Sequence, residues 1–118
     1  MFATELLKLA QSGNRYDGLA KKTIELLRER GVETIYRSKE CERRKRENGG
    51  CDNCPSADQI NCKRVAAIVF TATMATSSLE ILQPGKEVVV KVDEIIEKAI
   101  TAKTLKELSE LNGLIKRI

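Results

Sequence analysis

At 118 residues the chain is long enough for one domain with a modest core. It contains no His and no Trp, two Phe and two Tyr. That rules out Ser/His and Cys/His nucleophilic catalysis and mixed Cys/His zinc sites, and leaves the core to Leu, Ile, Val and Ala. The net charge is +4, of which residues 37–64 carry +3. The excess is thus local, and a general basic-protein argument for nucleic-acid binding does not apply.

The opening MFATELLKLAQ places Glu5 and Lys8 at helical spacing, so it reads as structure and not as a signal peptide. Phe2, Leu6, Leu9 and Ala10 mark the inner face of a first helix, interrupted by Ser12-Gly13-Asn14. Asp17 is the expected cap of a second helix reaching about Arg30, with Leu19, Ala20, Thr23, Ile24, Leu26 and Leu27 inward. Gly31 stands where a helix ends in the left-handed conformation. The two helices are expected to form an antiparallel pair.

Residues 32–36 read either as a short strand or as the start of a third helix. Ser38 to Glu47 is charged and rich in helix formers, which predicts an exposed helix bearing Cys41 and ended by Asn48-Gly49-Gly50. A tight loop over 51–56 follows. Ser56, with Gln59 three residues on, resembles a capping box for a long helix over about 57–82. This helix carries Cys62 in its second turn, and its Ala, Thr and Ser content predicts a central position. Its most apolar stretch, Val65 to Ala75, is too short to span a bilayer. A cytoplasmic protein without a membrane partner is the expectation.

Pro84-Gly85 signals a turn. The valines of the following KEVVVKV favour extended backbone, so a short β element is expected at 86–92. Its partner would be residues 33–36 or a symmetry mate, which makes a homodimer the expected assembly. Asp93 would then cap a helix with Ile95, Ile96, Ala99 and Ile100 inward. A last helix starts near Thr104 and uses Leu105, Leu108 and Leu111. The fold class expected is a mainly α single domain spanning 1–118, with a cysteine-rich metal-binding insertion at 39–64.

Chemistry concentrates in that insertion. Cys41, Cys51, Cys54 and Cys62 have the spacing C-x9-C-x2-C-x7-C. Two residues between Cys51 and Cys54 let both sulfurs face one ion. Four thiolates suit either tetrahedral zinc or a four-iron (4Fe-4S) iron–sulfur cluster. The single close pair with distant outer cysteines, and Pro55 directly after Cys54, tilt the spacing toward the cluster. The stretch from Cys51 to Cys62 resembles small regulatory iron–sulfur proteins, which also combine one close pair with outer ligands. Two further readings stay open: a pair of disulfides such as Cys41–Cys62 with Cys51–Cys54, and a CxxC redox pair.

Arg43, Arg44, Lys45 and Arg46 follow Cys41, while Lys63 and Arg64 follow Cys62. A metal that drew Cys41 and Cys62 together would merge these groups into one patch able to bind phosphates. The plainer reading is a solvated helix face, and an acidic protein partner is a third. No glycine-rich phosphate loop is present. The sequence therefore points to a small metal-binding regulatory or nucleic-acid-associated protein. The alternatives are an iron–sulfur electron-transfer protein and a non-catalytic helical subunit with a structural site. The balance leans away from catalysis.

Overall fold

The computed structural model describes residues 2–11, 16–49, 54–77 and 86–115. Among them every regular element is a helix: α1 (Phe2–Gln11), α2 (Tyr16–Glu29), α3 (Lys39–Asn48), α4 (Ser56–Ser77), α5 (Lys86–Thr101) and α6 (Leu105–Ile115). The mainly α expectation holds. No helix among the described residues is long and apolar enough to cross a membrane.

Periodicity explains most of the core. In α1, Ala3, Leu6 and Leu7 are buried, while Phe2, Leu9 and Ala10 pack at the margin. In α2, Leu19, Ala20, Thr23, Leu26 and Leu27 are buried, with Ile24 beside them. The Thr23 hydroxyl is satisfied by donating to the Leu19 carbonyl at 2.7 Å. Gly31, at φ 79°, turns the chain out of α2. Its N–H donates to Arg28 O and that of Val32 to Leu27 O, a Schellman ending. Asp17 lies one residue inside α2, so the helix begins before the cap expected there.

The long helix α4 is central, packing against α1, α2, α5 and α6. It buries Val65, Ile68, Val69, Thr71, Ala72 and Ala75. Two of its threonines, the buried Thr71 and the exposed Thr73, donate back one turn, Thr71 to Ala67 O and Thr73 to Val69 O. For Thr71 that bonding satisfies a hydroxyl in a packed position.

The β element expected at 86–92 is not formed, because these residues are the first two turns of α5. The inward positions Val92, Ile95, Ile96, Ala99 and Ile100 step by three and four, and Val89 extends the same stripe backwards. Burial along one helical face outweighs the strand preference of valine, which is weak and context-dependent. Residues 33–36, the partner considered for that strand, form no regular element: 33–35 are irregular and Tyr36 lies in a turn. Asp93 accordingly sits within α5 and not at its start. The edge that suggested a strand-paired dimer is therefore absent.

At the other end of α5, the Arg64 guanidinium donates from Nη1 to the carbonyls of Ala99 (2.7 Å) and Ile100 (2.9 Å). These belong to the last turn of α5, where carbonyls lack partners within the helix. Thr104 caps α6 by accepting from the Glu107 N–H at 3.1 Å, and Glu107 reaches back to the Lys103 N–H at 3.2 Å. The helix then continues through Asn112 and Gly113 to Ile115, past the break that those two residues suggested.

Candidate cysteine site

The helix α3 differs from the other five. Its sequence KECERRKREN has no aliphatic stripe, and its buried residue is Cys41. Ser38 caps it, its hydroxyl accepting from the Cys41 N–H at 3.1 Å. Gly49, at φ 81°, ends it in the left-handed conformation, its N–H donating to Lys45 O. Arg37, also left-handed at φ 60°, makes the bend that leads into the cap. The helix expected from Ser38 to Glu47 is therefore present with its ends in place.

Polar side chains dock α3 and the segment before it against the start of α4. Arg44 donates from Nη1 to Asp58 Oδ2 at 2.6 Å and to Cys54 Sγ at 3.4 Å. Its Nε donates to Glu40 Oε1 at 2.9 Å. Just before α3, Thr34 Oγ1 lies 3.6 Å from Cys62 Sγ. Asn61 Nδ2 donates to the Glu33 carbonyl at 2.9 Å. The loop that carries Cys54 is tied down by Gln59, whose Nε2 donates to the Cys54 carbonyl at 2.6 Å.

These contacts fix relative order. Residues 33–34 meet 61–62, and Arg44 meets Asp58, so α3 runs back toward the start of α4. Cys41 precedes Arg44 by three residues and Cys62 follows Asp58 by four, spacings that keep each pair on one helix face. The faces of α3 and α4 that carry Cys41 and Cys62 are therefore the two joined by the Arg44–Asp58 pair. Cys54 is bonded to the same guanidinium. Along α4, Cys62 also continues the stripe of Val65, Val69 and Ala72, so it stands where the aliphatic core ends.

Cys41, Cys54 and Cys62 form no disulfide with one another, so the Cys41–Cys62 bridge considered from the sequence is not made. Cys51 lies outside the described residues, as does the loop over 50–53. Among the described residues no three His, Cys, Asp or Glu side chains are gathered closely enough to hold a metal ion. As a donor set, four thiols without a single histidine fit zinc or a cluster.

The basic residues separate into two kinds. Arg43 pairs with Glu40 and with Glu47. Arg44 is held by Asp58, Cys54 and Glu40, which together raise its pKa above the usual guanidinium range. Hydrogen bonds from Arg43 and Arg44 lower the Glu40 carboxyl to about 2. Arg64 is partly buried on the end of α5, and that burial lowers its pKa. Lys45, Arg46 and Lys63 are exposed, with no ion pair among the described residues. Spacing in the sequence missed Thr34, Ser38 and Asp58. Ser38, three residues before Cys41, carried a readable capping signal, whereas Thr34 and Asp58 carried none.

A groove of about 560 Å³ separates α4 from α6, with Lys63 at its rim and Ala66, Ala67 and Leu108 in its lining. Phe70 and Leu105 also line it and are 41% and 38% exposed. No protein-family model matches the chain, and comparisons with curated proteins and with solved structures find no match.

Proposed function

We propose that this is a small metal-binding regulatory protein in which Cys41, Cys51, Cys54 and Cys62 hold a four-iron cluster or a zinc ion. The observation that carries the reading is the junction of α3 and α4. There Arg44 bonds both Asp58 and the Cys54 sulfur, on the faces that bear Cys41 and Cys62. A polar helix whose buried residue is a thiol gains little from apolar packing, and ligation would supply the missing attachment. Bound there, a zinc ion would supply structure, and a cluster would supply one-electron chemistry or sensitivity to oxidants.

Association with nucleic acid is the partner reading to test. Arg43, Arg44 and Arg64 are committed to carboxylates and carbonyls of the protein itself, so phosphate contact would fall to Lys45, Arg46 and Lys63. Replacing those three with Gln would then reduce the salt dependence of DNA or RNA binding by up to about three phosphate contacts. An unchanged salt slope would remove nucleic acid from the proposal.

Anaerobic purification followed by metal analysis and an absorption spectrum tests the site itself. Brown protein with about four irons per chain supports a cluster, and colourless protein with about one zinc supports a structural ion. Protein that takes up neither metal under reducing conditions defeats the reading.

A further inference from the structure

Arg43 and Arg44 are neighbours in one helix, yet their surroundings differ. Both partners of Arg43 are carboxylates of α3 itself, Glu40 and Glu47, so it ties the helix to nothing else. Arg44 leaves its helix to reach Asp58 on α4 and Cys54 in the preceding loop. Its side chain is only 23% exposed, against 48% for Arg43. No other helix packs extensively against α3 among the described residues.

We propose that Arg44 is the positioning residue of the cysteine site: its guanidinium latches α3 onto α4 and keeps Cys41 turned inward beside the Cys54 loop. The inference rests on the reading of these cysteines as one site. Glu40 orients the guanidinium from within α3 through the Nε bond, and Asp58 fixes its far end. One Nη1 atom serves both Asp58 and the Cys54 sulfur, so undocking α3 gives up both contacts together. A donor aimed at a ligand sulfur from outside the ligand set belongs to the class of partner whose loss weakens metal sites about 10–100-fold.

The test compares Arg44→Gln with Arg43→Gln, which removes the same charge one residue away, and with Arg44→Lys and Asp58→Asn. In reduced, metal-free protein, the rate of Cys41 alkylation is followed by peptide mass spectrometry, with circular dichroism as a check on folding. Arg44→Gln and Asp58→Asn are expected to speed alkylation about tenfold or more, because each removes a charged hydrogen bond that holds α3 closed. Arg43→Gln should stay within about twofold of the parent. Arg44→Lys, which keeps a cation for Asp58, should fall between, and Asp58→Asn, which changes almost no side-chain volume, separates loss of the bond from loss of volume. If Arg44→Gln fails to fold, Asp58→Asn decides. Rates for Arg44→Gln and Asp58→Asn that match Arg43→Gln overturn the inference.

In protein loaded with zinc or iron, Arg44→Gln is expected to hasten metal transfer to a chelator about tenfold, and an unchanged rate overturns the inference as well. A parent protein that takes up neither metal removes the reading under Proposed function, while the Cys41 rates still decide the role of Arg44.

Discussion

The five-helix body and α3 are held by different forces. The body buries aliphatic side chains from α1, α2, α4, α5 and α6 in one cluster. By contrast, α3 is capped by Ser38 and docked by the Arg44 guanidinium, and the segment before it meets α4 through the Thr34–Cys62 hydroxyl–thiol contact. Apolar burial is non-directional and roughly additive in area, so the body tolerates shape-conserving change. Hydrogen bonds and ion pairs depend on geometry and exchange readily with water, so each contributes little net stability. The body should therefore set global stability, and α3 should open locally, well below the global unfolding free energy.

Truncating the centre of the body tests that division most strongly. Ile96→Ala empties a fully buried position in α5 and should cost about 2–5 kcal/mol, read from urea denaturation. Next comes Arg64→Ala, which strips the donor from two carbonyls at the end of α5. The expected cost is about 1–3 kcal/mol by the same measurement, because the carbonyls lose their partner in a partly buried setting.

Removing the α3 cap should act locally. Ser38→Ala should weaken the helix by about 0.5–2 kcal/mol, seen as faster amide exchange at Glu40 to Glu42 with an unchanged urea midpoint. A global midpoint that falls as far as for Ile96→Ala would erase the distinction between the two regions.

The smallest effect concerns the surface pair between Arg30 and Glu97, which joins α2 to α5 at 2.7 Å. Its hydrogen bond with Arg30 lowers the Glu97 pKa below the ordinary 4.5. The stabilisation is therefore fully present above the ordinary value and is lost as pH falls through the lower, folded one. Arg30→Gln should return Glu97 to the ordinary carboxylate range in an NMR titration while the core stays intact. A titration unchanged by that substitution would show the pair to be unformed in solution.

Much of the body is legible in the sequence because burial there follows a repeat. The stripe from Leu19 to Leu27 and the turn glycines Gly31 and Gly49 could be assigned from spacing and backbone preference alone. Residues 86–92 misled because three consecutive valines speak for strand locally, whereas the stripe through Ile100 speaks for helix over a longer span. The candidate site was legible as a set of cysteines but not as an arrangement. Arg44 and Arg64 look alike in the sequence, two members of a basic cluster. One bonds a thiol and a carboxylate, and the other closes the end of α5. Both roles depend on partners 10 to 36 residues away, which no local pattern encodes.

The position of Arg64 constrains the phase of α4. A helix turns about 100° per residue, and Arg64 lies between Cys62 and the first buried valine, Val65. Its bond to the end of α5 therefore acts as an index pin, fixing the rotation at which the aliphatic stripe faces the body and Cys62 faces Thr34. One residue inserted between Arg64 and Val65 would put the two ends of α4 about 100° out of step. Either the core or the cysteine face could then keep its place, but not both, so the two regions that differ most in how they are held share a single rotational setting.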